Sequence, residues 1–307
     1  MNHLKDLKGQ PRASAILQTY VERLPPPLLL ITGPPGTGKF SAARCFVQIH
    51  LCDARTACGQ CGGCNRFLKG EHPDFIQFPE GKVKIGDPKK PEQYTVRWLL
   101  QTRLPYRPHE GGLRFILIPD AAEIQNEAET ALLKTLEEPP EHTRFILLAP
   151  DIAEMKPTIV SRAVVVPFGL LSRVALGAIT GLPDESLDLL GGSLERVALI
   201  QSPLFKEMRE RAAKAVSRLD ILEFESWILK QEKELKSEVP ADEIWETLTL
   251  AWIAELESDV GANHKRLKVL FDFKAALHME MAGFLPYAAS LLLQRMTMLA
   301  PVQALGA

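Results

Sequence analysis

Four short apolar runs, Leu28–Ile31, Phe115–Ile118, Phe145–Leu148 and Val164–Val166, recur along residues 1–167 without polar alternation. Strands covered on both faces of a sheet read this way, and Phe75-Ile76-Gln77-Phe78 adds another of similar length. Helical spacing fills the gaps. Residues 11–23 place Ile16, Leu17, Tyr20 and Val21 on one face and stop before Pro25-Pro26-Pro27. Ser41 to Leu51 follows the first strand, Thr95 caps a helix running to Arg103, and Ala128 to Glu138 ends at Pro139-Pro140. Pro79 to Pro91 has no period and predicts a loop or short hairpin. Strand alternating with helix implies an α/β unit with a parallel, doubly wound sheet over residues 1–167.

Beyond Phe168 the strand pattern ceases. Residues 168–203 predict a small helical unit containing Gly191-Gly192-Ser193-Leu194-Glu195-Arg196, and residues 204–307 predict an all-helical bundle. Pro203, Pro240, Gly261 and Pro286 punctuate that bundle into roughly five helices. Trp245, Leu248, Trp252 and Leu256 recur at helical spacing as a core face rather than a cofactor box.

Composition narrows the class. A chain of 307 residues has room for more than one domain and a sizeable core. Its formal net charge of −2 confines any nucleic-acid contact to local patches, and no basic stripe with interleaved aromatics marks one. Met1-Asn2-His3-Leu4-Lys5 lacks the apolar core of a signal peptide, and no apolar run is long enough to span a membrane, so the expectation is a cytoplasmic protein.

The cysteines are unevenly placed. Cys52, Cys58, Cys61 and Cys64 lie close together, while Cys45 sits apart in the helix after the first strand, as a buried apolar residue would. In a reducing compartment such a cluster favours a metal over disulfides. Four thiolates suit a tetrahedral ion, with Gly59, Gly62 and Gly63 allowing tight turns between them. Zinc is the expected ion, in a structural role because no coordination position is left open; iron–sulfur ligation or reduced, metal-free cysteines are the other readings.

The sharpest chemistry lies in Gly33-Pro34-Pro35-Gly36-Thr37-Gly38-Lys39, between the first strand and its helix. Gly33, Gly38 and Lys39 fit the phosphate-loop spacing G-x-x-x-x-G-K-[ST], in which backbone N–H groups and a helix N-terminus wrap an anion. The last position fails, because Phe40 stands where a hydroxyl holds Mg²⁺. Ser41 is no substitute, since one step along a helix turns the side chain by about 100°. Asp120, just after the run Phe115–Ile118, can serve as a Mg²⁺-organising carboxylate, but the next position is Ala121 rather than a water-polarising glutamate. Glu123 reads as a solvated helix-start residue. Two readings of the loop stay open: a cradle that holds ATP or ADP without Mg²⁺, or an empty packed turn.

Several further signatures point one way. Ala131-Leu132-Leu133-Lys134-Thr135-Leu136-Glu137-Glu138-Pro139-Pro140, with Gly9-Gln10, the cysteine insert, His72-Pro73-Asp74 and Thr158-Ile159-Val160-Ser161-Arg162, resembles bacterial clamp-loader subunits of the AAA+ class over residues 1–200. The resemblance implies an AAA+ domain (1–167, with its zinc module near 52–64), a helical lid (168–203) and an oligomerising helical collar (204–307). Within the family, motor subunits (gamma/tau) keep a hydroxyl after the lysine and a glutamate after the strand-closing aspartate. Phe40 and Ala121 depart from that pattern, as does Ala149 at the normally polar sensor-1 position; Ala163 replaces a usual cysteine. These departures, and the lack of an extended tail for polymerase binding, resemble the delta-prime type of subunit.

By the same resemblance, Arg162 implies an arginine finger reaching a neighbour's nucleotide, with an intrachain ion pair as the alternative. Arg196 resembles the lid's sensor-2 arginine, here fixing lid orientation or a bound phosphate. The implied assembly is a hetero-pentamer with gamma/tau and delta subunits that loads a sliding clamp onto primed DNA. The competing expectation is an ATP-hydrolysing gamma/tau-like motor or another AAA+ ATPase acting on DNA.

Overall fold

Polar residues, Arg114 in one strand and Thr143-Arg144 in another, precede the apolar runs, and so the sheet is longer than those runs. In the computed structural model, which describes Leu4 and residues 7–110, 112–203, 205–207, 210–211, 249, 252–253 and 260–277, the strands are β1 (Leu28–Thr32), β2 (Phe75–Gln77), β3 (Arg114–Ile118), β4 (Thr143–Ala149) and β5 (Val164–Pro167). Arg114 and Arg144 are buried, which charged groups tolerate only when hydrogen-bond acceptors surround them. Arg114 donates to the carbonyls of Arg103, Tyr106 and Arg107, and Arg144 to those of Pro25, Glu141 and Thr143.

All pairings are parallel, in the order β2-β3-β4-β1-β5. The helices are α1 (Pro11–Glu22), α2 (Lys39–Leu51), α3 (Gly62–Lys69), α4 (Val96–Thr102), α5 (Asn126–Glu137), the short α6 (Pro157–Val160) and α7 (Arg173–Thr180). Alternate strand residues feed opposite faces. Leu29, Ile31, Phe115, Leu117, Ile146 and Leu148 meet Leu17 of α1 and Phe46 of α2 on one side. Leu28, Leu30, Ile116, Ile118, Phe145 and Leu147 meet Leu99 of α4 and Leu132 of α5 on the other. The doubly wound α/β expectation therefore holds. Thr95 caps α4 as its sequence position suggests, its hydroxyl accepting from Trp98 N at 3.4 Å.

Differences are local. α2 begins at Lys39 rather than Ser41, and α3 opens at Gly62 where only turns are expected. Pro79–Pro91 is not a hairpin: Val83 makes a single parallel bridge to Ile124.

The chain divides into two compact units, Met1–Ile179 and Thr180–Ala307. The described part of the second contains α8 (Asp184–Leu187), α9 (Val197–Gln201) and a longer helix, Val260–Leu277. Trp252 and Ile253 are buried; Trp245, Leu248 and Leu256, with most of 204–307, lie outside the described residues. Among the described residues no helix is long and apolar enough to cross a membrane.

Candidate functional site

The phosphate loop leaves β1 at the C-terminal edge of the sheet, where open parallel sheets bind ligands. Gly33 N donates to Ala149 O at 3.2 Å, and Phe168 N donates to Thr32 O at 2.7 Å. A Cβ on Gly33 would stand 2.2 Å from Phe168 O, and φ is +143° there, so only glycine fits. Gly38, at φ +96°, caps α2 in a left-handed conformation.

Thr37 Oγ1 donates to Pro34 O at 2.7 Å, and Lys39 Nζ donates to the carbonyls of Gly33 and Pro34. Gln10, buried, donates to Thr37 O and to Gly169 O (2.7 Å), while its Oε1 accepts from Gly169 N at 3.1 Å. This amide ties the loop to the chain after β5. Gly9-Gln10 stands out in the sequence as a signature, but the tie itself does not, because Gly169 is remote in sequence.

Phe40, Ala121 and Ala149, at the positions singled out by the resemblance, are all packed rather than open to solvent. Phe40 is half-buried against the α1/α2 core and, with Phe67 of α3 and Phe75 of β2, surrounds the Arg44 guanidinium, whose Cζ lies 5.8, 4.8 and 5.8 Å from the three ring centroids. Arg44 Nη1 also donates to Gln77 Oε1. Ala121 and Ala149 are buried, and Ala149 pairs in register with Thr32 beside the loop. Asp120 Oδ2 accepts from Gly81 N, securing the Pro79–Pro91 segment. Glu123 is exposed at the end of a 3-10 turn.

Arg162 follows the α6 turn, which buried Ile159 anchors. Its Nη2 donates to Glu137 Oε1 (2.8 Å), and its Nη1 donates to Thr158 O (2.9 Å) and Ser161 Oγ (3.2 Å). The side chain is 37% exposed, and no contact joins it to the phosphate loop among the described residues. Within the isolated chain, then, the intrachain pair forms. Arg196 belongs to the second unit, where Ile200 N donates to its carbonyl at 2.9 Å at the start of α9.

The cysteine cluster forms as its spacing suggests. The four Sγ atoms of Cys52, Cys58, Cys61 and Cys64 lie within 4.8 Å of one another and could hold a metal ion such as zinc. Three of the separations, Cys52–Cys58, Cys52–Cys61 and Cys58–Cys64, are 3.6, 3.9 and 4.0 Å. A tetrahedral ion with Zn–S bonds of about 2.3 Å requires about 3.8 Å between sulfurs. Backbone N–H groups of Cys58, Cys61 and Cys64 donate to the preceding sulfurs of Cys52, Cys58 and Cys61.

Burial opposes ionisation of Cys52, but backbone N–H groups of Cys58, Thr56 and Ala54 outweigh it and hold the thiol down at about 6. Burial pushes Cys64 up to about 12. Of the three glycines in this region, only Gly59 (φ +73°) takes a left-handed turn. Gly62 and Gly63 open α3, and a Cβ on Gly63 would stand 2.2 Å from Leu51 O, so glycine allows α3 to dock on the end of α2. His72 Nδ1 accepts from Asp74 N, and its Nε2 faces Glu110, which pairs with Arg66 of α3 at 2.7 Å. Asp74 accepts from the backbone N–H groups of His109 and Glu110. The His-Pro-Asp signature thus fastens the module to the sheet. Cys45 is buried in the core of the first unit.

Fold and loop together define the class: an α/β phosphate-loop protein with a four-cysteine insert. Residues 9–171, more than half of the chain, match the family described as DNA polymerase III, delta subunit. The chain belongs to that family, and so to the clamp-loader subunits its motifs resemble. DNA polymerase III subunit delta' of Yersinia pestis is 35% identical over 139 residues, which are 44% of this chain and 39% of that protein. DNA polymerase III subunit tau of Bacillus subtilis (strain 168) is 30% identical over 242 residues, 75% of this chain and 40% of that one. The match thus spans less than half the length of either relative. A DNA polymerase III gamma subunit-related protein of Thermotoga maritima superposes with a TM-score of 0.44 at 19% identity, covering 96% of this chain and 88% of that one.

Proposed function

We propose that this chain is a non-hydrolysing clamp-loader subunit of the delta-prime type, which supplies Arg162 in trans to a neighbouring ATPase subunit. One observation carries the reading: Phe40, Ala121 and Ala149 replace three separate groups of a hydrolytic site along one edge of the sheet. Phosphoryl transfer is catalysed by positioning and charge, and one lost group can be compensated more easily than three. Phe40 also has a packing role of its own, in the Arg44 cage. Any ATP or ADP held by Gly33–Lys39 stays unhydrolysed, and Mg²⁺ finds no hydroxyl at position 40.

Residues 1–167 form the AAA+ domain in this reading, 168–203 the lid oriented by Arg196, and 204–307 the collar that joins gamma/tau and delta subunits in a cytoplasmic hetero-pentamer. The assembly acts on a sliding clamp and primed DNA, and this chain touches DNA little. The cysteine cluster holds one structural zinc ion: sulfurs spaced for a single tetrahedral centre are too close for the separate irons of a cluster.

The similarity to tau subunits favours a second reading, a gamma/tau-like motor. It requires turnover without the hydroxyl and the glutamate. Arg162→Ala tests the trans role. In loader assembled with motor subunits, DNA-stimulated ATP hydrolysis falls at least about tenfold, a loss below the roughly 10³–10⁵ that a finger in trans can supply, while the variant folds normally. An unchanged rate removes the finger.

A further inference from the structure

The run Ala131–Pro140 is the most distinctive in the sequence, yet neither the phosphate loop nor the cysteine cluster uses it. Its helix, α5, carries two ties to the segment ending at Arg162. Buried Glu129 pairs with Lys156 at the N-cap of α6. About two turns on, roughly 12 Å along the axis, the last helical residue, Glu137, pairs with Arg162. Lys156 also donates to Asn126 at the first position of α5.

The pair at the far end is not there for stability. Glu137 is 48% exposed and Arg162 37%, and ion pairs this exposed contribute little to folding. What it supplies is direction. Thr158 O and Ser161 Oγ take both protons of Nη1, and Glu137 takes one of Nη2. Nε–H and the second Nη2 proton have no partner among the described residues. A planar fork held at three points presents its remaining N–H groups at a fixed angle, the arrangement that two phosphate oxygens accept.

We propose that Glu137 is a positioning residue, holding the Arg162 guanidinium so that its open N–H groups face a phosphate presented by a neighbouring subunit. The proposal rests on the finger role of Arg162. It explains what the most distinctive motif of the chain does, since α5 is the mount and Glu137 the rest on which the finger lies.

The test compares loaders assembled with motor subunits and wild-type, R162A, E137A, E137Q or E137A/R162A chains, assayed for DNA-stimulated ATP hydrolysis. E137A lowers kcat about fivefold with KM for ATP unchanged, as a misplaced transition-state group does. E137Q keeps an oxygen for Nη2 and stays within about twofold of wild type. The double variant is no slower than R162A alone, because the two residues act through one guanidinium. Thermal midpoints of the single variants match wild type. If R162A is slow while E137A is as fast as wild type or faster, or if the two losses multiply in the double variant, the positioning role falls and the finger stands. If R162A itself runs at the wild-type rate, the finger reading falls and the positioning role with it.

Discussion

At position 40 a phenyl ring occupies the place of a Mg²⁺ hydroxyl and packs into the core instead. Its partners explain why it stays there: the ring shares Arg44 with Phe67 and Phe75, joining the loop helix to the cysteine module and the sheet edge. His50, further along α2, gives a second test at this scale. Its ring lies 4.6 Å from Phe46 and 5.4 Å from Phe115 between centroids. Burial first, then the charges of Arg55 and Arg144, oppose protonation and outweigh the Tyr20 backbone, bringing His50 down to about 4. In the unfolded chain the ring titrates near its ordinary value of about 6.5. His50 therefore leaves stability untouched above that pH and erodes it as pH falls toward 4, where the folded form also takes up the proton. Between pH 7 and pH 5 the loss is about 2 kcal/mol, since each unit of separation is worth about 1.4 kcal/mol. Urea unfolding of wild type and H50Q at the two pH values isolates the term; an equal change in stability for both would contradict it. The sequence carries no sign of this histidine's surroundings, because Phe115 comes from a distant strand. Phe40, by contrast, stands out against its motif, and only its aromatic cage needed the fold to be seen.

Among the elements, the strands and main helices were legible because each is a short apolar run or a clean helical stripe. The ends were not. β3 begins on Arg114 and β4 on Thr143-Arg144; the burial of both arginines depends on backbone carbonyls, most of them outside the strands, and hydrophobic patterning is silent about such partners. α3 was missed because a helix opening on Gly62-Gly63 breaks propensity; the contact with Leu51 O that requires glycine exists only once α2 is in place. The convergence of the four cysteines was plain from their spacing. Protein purified without added metal is expected to carry about one zinc ion per chain, as a closed four-thiolate site does. Stripping the ion with a chelator should expose all four thiols to a thiol reagent and raise hydrogen exchange in α3 ahead of the sheet, since metal binding free energy is folding free energy for the segment it organises. Less than one ion per chain, with every cysteine already reactive, would contradict the assignment.

At the scale of the whole molecule, two compact units are built on one chain, and only the first carries the loop, the cysteines and Arg162. Much of the second lies outside the described residues, and the collar role proposed for it follows from the helical pattern of its sequence. What the first unit offers a larger assembly is clearer. Its loop edge carries Phe40, Ala121 and Ala149, while a half-exposed arginine, Arg162, pairs with the helix of the most distinctive motif. In the proposed reading, catalysis assisted from this chain takes place in a neighbour's site. The most direct measurement is steady-state ATP turnover by the purified chain with Mg²⁺, alone and then combined with motor subunits and primed DNA. No turnover above background is expected for the chain alone, and the mixture should turn over ATP faster than the motor subunits by themselves. Mg²⁺-dependent turnover by the isolated chain at the rate of a motor subunit would contradict the non-hydrolysing reading.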